Sequence, residues 1–102
     1  MKNMNDEYAE LLYEAVLQLK TPEECRRFFD DLCTISELRS MSQRVEVAMM
    51  LYNKQLYTEI AEKTGASTAT ISRVNKCLNY GTNGYNIILK RLSDKEKRNG
   101  KL

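Results

Sequence analysis

Residues 56–78 read LYTEIAEKTGASTATISRVNKCL, and this stretch decides the architecture expected for the chain. Its first part predicts a short helix that begins at Tyr57 or Thr58 and ends at Thr64, with Thr58 as its cap. Ala61 is small, which favours a close crossing with a second helix. Residues Ile60, Ala61 and Thr64 are expected to face that second helix.

A glycine turn and another amphipathic helix follow directly. Gly65 is expected to adopt the left-handed backbone that glycine tolerates at a helix end. Ser67 can cap the next helix, whose apolar residues Ile71, Val74 and Leu78 recur three and four positions apart. Together, the two helices and the turn are typical of a helix-turn-helix.

The outer face of the second helix is short, polar and basic, which suits the major groove of DNA because small side chains reach base edges without holding the helix away. The predicted DNA contacts are Ser67, Thr68, Ala69, Thr70, Ser72, Arg73 and Lys76. Thr68, Ala69, Ser72 and Arg73 are expected to read bases and Lys76 to bind phosphate, while Asn75 lies at the margin. The alternative is an ordinary helical hairpin with a solvated polar face.

Length and composition favour one small globular domain. The chain has 102 residues, of which 42% are hydrophobic and 29% charged. A domain of this size buries only about 60 to 70% of its unfolded surface, so oligomerisation would add stability. No apolar run approaches the length of a membrane span and no secretory signal follows Met1. We therefore expect a cytoplasmic protein.

The side chains most used for catalysis and metal binding are scarce. There is no histidine, and Cys25, Cys33 and Cys77 form no C-x-x-C pair. We expect reduced, buried thiols. The sequence predicts no catalytic residue, no metal site and no cofactor, and an enzyme is the least favoured class.

Charge is distributed unevenly along the chain. The net charge is +2, but residues up to Glu37 include four basic and nine acidic residues, whereas the rest include twelve basic and five acidic. The basic part contains the helix-turn-helix, where DNA phosphates would be neutralised. Chance segregation of surface charge is the alternative, and the acidic part then serves solubility.

Helical periodicity outside this pair completes an all-α fold of about six helices. A first helix is expected from Asn5 to Leu19, a second after the capping sequence that starts at Thr21, and a third from Ser36 to Tyr52. The apolar face of the first is formed by Tyr8, Leu11, Leu12, Ala15, Val16 and Leu19. It can pack within one chain or against a partner subunit.

The end of the chain is expected to contain a loop, a helix and a tail. Residues 79–84 (NYGTNG) predict the clearest loop, and a last helix is expected to end near Leu92. Residues 93–102 (SDKEKRNGKL) are charged and predict a frayed tail. The predicted organisation is one domain over residues 1–92 and a charged tail over residues 93–102.

The stretch GASTATISR at residues 65–73 resembles the recognition-helix region of the tryptophan repressor superfamily. The resemblance extends upstream through residues 34–52 (TISELRSMSQRVEVAMMLY) and downstream to Leu92, and is closest to small Trp-repressor-like proteins of unassigned effector. It implies an interlocked homodimer whose recognition helices lie about 34 Å apart, one turn of DNA.

The same resemblance implies an effector site formed by Thr34, Arg44, Arg73 and Cys77. Two arginines can grip a carboxylate. However, Cys77 replaces a serine of the tryptophan repressor and Val74 replaces a glycine, which disfavours tryptophan and leaves another small effector, or none. Alternatively, Arg44 pairs with a helix carboxylate and Arg73 contacts phosphate.

The sequence therefore favours a homodimeric, sequence-specific transcriptional regulator that binds double-stranded DNA. A protein-interaction adaptor, in which the hairpin docks a partner, is the second hypothesis, because the net charge is modest.

Overall fold

The computed structural model describes residues 6–99, which form six α-helices and no strand. The predicted all-α fold is confirmed. The helices are α1 (Asp6–Leu17), α2 (Pro22–Leu32), α3 (Ile35–Tyr52), α4 (Tyr57–Thr64), α5 (Thr68–Tyr80) and α6 (Gly84–Arg98). The chain divides into two compact units, Met1–Leu38 and Arg39–Leu102.

In the first unit, α2 begins at the predicted capping sequence. The Glu24 N–H donates to Thr21 Oγ1 at 3.1 Å, and the Glu24 carboxylate accepts from the Lys20 N–H at 2.9 Å. Pro22 is the first helical residue, where its missing N–H costs nothing. The predicted helix start is therefore confirmed.

The first unit leaves apolar side chains uncovered within a single chain. Tyr8 and Leu11 of α1 are 81% and 68% exposed. On α2, Phe28 and Phe29 are half-buried and stack edge to face, with their ring centroids 5.5 Å apart. This unit thus exposes more large apolar surface than a monomeric domain ordinarily does.

The second unit has an apolar core to which α3, α4, α5 and α6 all contribute. Its buried residues are Val47, Ala48, Met50, Ile60, Ala66, Ile71, Val74 and Leu89. The predicted apolar residues of the helix-turn-helix are in this core, since Ile60 and Ile71 are fully buried and Val74 is 1% exposed. The half-buried Leu78 and Ala61 pack against it.

Two expectations for the end of the chain are wrong. The predicted six-residue loop shrinks to residues 81–83, because α5 continues through Tyr80 and α6 starts at Gly84. The charged segment expected to fray is helical to Arg98, supported by an ion pair between Lys90 and Asp94 at 2.9 Å. Residues 100–102 lie outside the described part, and the division into one domain and a tail stays a prediction.

The cysteines are free, but the expectation that all are buried is wrong. Cys25 and Cys77 are exposed and Cys33 is half-buried. No helix within residues 6–99 combines the length and the apolar character needed to cross a bilayer.

Candidate nucleic-acid interface

The turn of the helix-turn-helix has the predicted left-handed glycine. Gly65 has φ 73°, and its N–H donates to the Ala61 carbonyl at 2.9 Å, which ends α4. Thr64 supports this turn with its hydroxyl, which donates to the Ile60 carbonyl at 2.7 Å and accepts from the Ala66 N–H at 3.1 Å. The turn therefore has a defined path from α4 into α5.

The start of α4 differs from the prediction that Thr58 caps it. The helix begins at Tyr57, so Thr58 is already its second residue. The exposed backbone N–H of Leu56 is instead satisfied by the Glu59 carboxylate at 2.9 Å. Glutamate three residues after the cap position is a frequent partner of that N–H, and its charge also suits a helix N-terminus.

Ser67 caps α5, as predicted. Its Oγ accepts from the Thr70 N–H at 3.1 Å and donates to Thr70 Oγ1, also at 3.1 Å. The side chains of Ser67 and Thr70 are therefore engaged with each other in the free protein. Contact of either hydroxyl with DNA would occur through its remaining hydrogen-bonding capacity.

The two faces of α5 are cleanly separated. Ile71 and Val74 lie in the core, whereas the remaining predicted contact residues of α5 point to solvent. Those exposed residues are Thr68, Ala69, Ser72, Arg73 and Lys76. The helix contains two basic residues and no acidic one, so its outer face favours a polyanion.

The residues proposed for effector binding have different local roles. Thr34 forms a reciprocal capping pair with Glu37 at the start of α3, with bonds of 2.8 and 3.0 Å. In the second unit, Arg44 is half-buried on α3, while Arg73 and Cys77 are exposed on α5. The Thr34 hydroxyl is thus already used in helix capping.

Two further observations concern where a ligand or a metal ion could bind. A groove of about 420 Å³ lies along α6, lined by Ile88, Arg91, Leu92, Asp94, Lys95 and Arg98, and none of the four proposed effector residues lines it. Within residues 6–99, no group of three or more cysteine, aspartate or glutamate side chains is arranged to hold a metal ion.

Sequence reasoning missed two polar side chains that bond to the helix-turn-helix. Gln43 of α3 donates to the Thr64 carbonyl at 3.1 Å, and Asn86 of α6 donates to the Leu78 carbonyl at 2.9 Å. Neither residue belongs to a capping or periodic pattern. Such contacts become visible only when the helices are assembled.

Comparison with known proteins decides the family. The family profile for the Trp repressor protein matches residues 2–93. This chain belongs to the Trp repressor family. The resemblance seen in the recognition-helix region is therefore confirmed over most of the chain.

Individual relatives agree with this membership. An uncharacterized protein, YerC of Bacillus subtilis (strain 168), is 55% identical over 85 residues, covering 83% of this chain and 82% of YerC. A Trp operon repressor homolog of Chlamydia caviae is 35% identical over 83 residues, covering 80% and 82% of the two chains. Membership of the Trp repressor family indicates that this chain is a DNA-binding regulator.

Solved structures support the same fold. A TrpR-like protein from Eubacterium eligens superposes with a TM-score of 0.81 at 55% identity, covering 85% of this chain and 90% of that one. A Staphylococcus aureus protein superposes with the same TM-score of 0.81 at 44% identity, covering 89% and 96%. The six-helix arrangement is thus shared with proteins of the Trp repressor family.

Proposed function

We propose that this protein is a sequence-specific transcriptional regulator that binds double-stranded DNA as a homodimer. The observation that supports this most is the division of α5 into a buried face with Ile71 and Val74 and an exposed face with Arg73 and Lys76. A helix held from one side and basic on the other can enter a major groove. It acts without enzymatic activity, in the cytoplasm.

The exposed residues of α5 divide by reach and charge. Thr68, Ala69 and Ser72 are short and read base edges by hydrogen bonds or by contact with a thymine methyl group. Arg73 is long enough to bind a guanine edge with two hydrogen bonds, and Lys76 neutralises a phosphate. Ser67 and Thr70 hold the first turn of α5 and approach the adjacent backbone of the DNA.

Dimer formation is supported by the uncovered apolar face of α1. Tyr8 and Leu11 are more exposed than large apolar side chains ordinarily are in a stable monomer. A second copy of the chain would cover these side chains, and the dimer would then have two α5 helices available to contact DNA bases. Two helices related by a two-fold axis then bind the two halves of a palindrome.

The effector of the family is proposed to be changed or absent here. The resemblance places Val74 where the tryptophan repressor has glycine, and the Val74 side chain is 1% exposed and packs in the core. Cys77 is a weaker hydrogen-bond donor than serine. Within the second unit, Arg44, Arg73 and Cys77 are proposed to bind a small anionic ligand other than tryptophan, whereas the Thr34 hydroxyl is used in capping α3.

Calorimetry tests this part of the proposal. Titration of tryptophan into the protein is expected to give no saturable heat at micromolar ligand. A saturable isotherm in that range would show that the valine and cysteine replacements do not exclude the indole ring.

DNA binding itself is tested by selecting duplexes from a random pool and footprinting the bound sites. We expect a palindromic site and an affinity that falls steeply as salt rises. Arg73→Ala is expected to weaken DNA binding by about 5- to 100-fold, as for the loss of a base contact. Lys76→Ala is expected to reduce the slope of log affinity against log salt concentration by about one per subunit, because one phosphate contact is lost.

A matched arginine outside α5 serves as the control. Arg26 on α2 is exposed and pairs with Glu23 at 3.5 Å, and Arg26→Ala should leave the selected site bound as tightly as in the wild type. Equal losses in Arg26→Ala and Arg73→Ala would mean that general positive charge, rather than the α5 face, binds the DNA.

A further inference from the structure

Side-chain amides from the flanking helices bond to carbonyl groups near the ends of both helices of the helix-turn-helix. Gln43 Nε2 of α3 lies 3.1 Å from the carbonyl oxygen of Thr64, the last residue of α4. Asn86 Nδ2 of α6 lies 2.9 Å from the carbonyl oxygen of Leu78, in the last turn of α5. Both bonds are partly buried, and the first joins residues 21 positions apart. It is therefore a tertiary contact.

Thr64 is the residue at which α4 becomes the turn. Its carbonyl is among those left without a helical N–H partner at a helix end, and Gln43 satisfies it. Its hydroxyl bonds to the Ile60 carbonyl and to the Ala66 N–H, on either side of the left-handed Gly65. Three hydrogen bonds thus hold the carbonyl and the hydroxyl of Thr64, and Gln43 supplies the one that comes from outside the helix-turn-helix.

We propose that Gln43 is a positioning residue for DNA binding, because its hold on Thr64 fixes the direction in which the chain enters α5. This role rests on the proposed function of α5. Ser67, which caps α5, lies three residues beyond Thr64, so a displacement of Thr64 moves the first turn of α5. That turn contains Thr68 and Ala69, two of the residues proposed to read bases.

The expected size of the effect follows from the loss of one hydrogen bond. Without the Gln43 amide, the partly buried Thr64 carbonyl has no partner within residues 6–99. One such bond changes a local equilibrium by about two- to tenfold. The loss should appear as more frequent opening of the turn, since local opening is set by the bonds that break in it.

Three variants isolate the hydrogen bond from packing. Gln43→Met keeps the length of the side chain and removes the donor, whereas Gln43→Lys keeps a donor of similar reach. Gln55→Met is the matched control, because Gln55 is an exposed glutamine whose side chain makes no hydrogen bond within residues 6–99. All proteins are compared at one concentration so that dimer formation is constant.

Amide hydrogen exchange of the full chain without DNA tests positioning directly. Gln43→Met is expected to raise the exchange rates of the Ala66 and Thr70 amides about two- to tenfold while leaving that of the core residue Leu89 unchanged. Gln43→Lys should restore both rates, and Gln55→Met should not alter them. Unchanged rates at Ala66 and Thr70, an equal rise at Leu89, or no rescue by lysine would each overturn the role of Gln43.

DNA binding provides the second readout. With a duplex selected by the wild-type protein and a scrambled duplex, Gln43→Met is expected to lower the preference for the selected duplex about two- to tenfold, and Gln43→Lys to retain it. This preference is measured as the ratio of the affinities for the two duplexes, because the ratio cancels the effect of the added lysine charge on general DNA affinity. An unchanged ratio in Gln43→Met overturns the positioning role. Failure of the wild type to select any duplex instead overturns the proposed function, which the exchange measurements do not test.

Discussion

At the scale of single residues, three glycines near the helix-turn-helix differ in what a side chain would meet. Gly65 has open space around its missing Cβ but a φ of 73°, so alanine there would be strained by its backbone. Gly81 has an ordinary φ, but a Cβ would lie 2.5 Å from the Cys77 carbonyl oxygen. Gly84 has neither constraint.

These differences predict three outcomes for alanine substitution. Gly65→Ala should lower the free energy of unfolding by about 1 kcal/mol, because left-handed strain exceeds the gain from a less flexible unfolded chain. Gly81→Ala should lower it by about 1 to 3 kcal/mol, because backbone must move. Gly84→Ala, the control, should raise it by about 0.4 to 1 kcal/mol. Urea unfolding at one protein concentration measures all three, and a Gly65→Ala variant as stable as Gly84→Ala would contradict the left-handed turn.

At the scale of helices, local signals predicted most of the helix-turn-helix and the start of α2, but not the cap of α4 or the contacts between distant residues. The cap at Ser67, the glycine at position 65 and the core spacing of Ile71 and Val74 depend on near neighbours in sequence, and each is found as predicted. The Gln43 bond to Thr64 joins distant residues and has no local signature. The DNA and effector assignments stay predictions, since they concern partners outside the chain.

The last helix shows why charge alone misleads about helix length. Residues 93–98 lack a strong apolar pattern, which suggested fraying, yet α6 continues to Arg98. Lysine and glutamate are good helix formers, Lys90 and Asp94 pair four residues apart, and basic side chains in the last turn suit the negative helix C-terminus. Each of these contributions to helix stability is small, but together they stabilise α6 as far as Arg98.

The pair on α6 has a predictable response to pH. Its hydrogen bond with Lys90 lowers the pKa of the Asp94 carboxyl below the ordinary 3.8, and the same bond raises the pKa of Lys90 above 10.5. The contribution of Asp94 to α6 is therefore present above its ordinary pKa and lost as the pH falls through the lowered value. That of Lys90 is present below its ordinary pKa and lost as the pH rises through the raised value. Both groups contribute at neutral pH.

An NMR titration of the Asp94 carboxyl carbon tests this pair. Lys90→Met should return the pKa of Asp94 towards its ordinary value, and high salt should shrink the difference because both groups are exposed. Lys97→Met is the control, since Lys97 acts on Asp94 only through a weaker charge interaction. If the two variants shift the pKa of Asp94 equally, the hydrogen bond with Lys90 is not the main cause of the lowered pKa.

At the scale of the whole molecule, the apolar face of α1 predicts the oligomeric state. Tyr8 and Leu11, which are 81% and 68% exposed in one chain, belong to the predicted stripe of α1. Burying each large apolar side chain contributes about 1.5 to 3 kcal/mol, so a second copy covering this face would be bound strongly. Light scattering at micromolar concentration should therefore give about twice the 11.9 kDa mass of one chain.

Two of the exposed leucines of α1, Leu11 and Leu17, provide a test of which face of the helix forms the dimer interface. Leu11 lies in the stripe, whereas Leu17, 80% exposed, lies about 120° away around the helix. Leu11→Lys should lower the dimer fraction and, because the two reading helices then act singly, weaken binding to the selected palindrome. Leu17→Lys introduces the same charge and should leave the dimer fraction and the binding to the selected palindrome unchanged. A stable folded monomer of the wild type at micromolar concentration would contradict dimer formation, and equal effects of the two substitutions would assign the interface to a different face of α1.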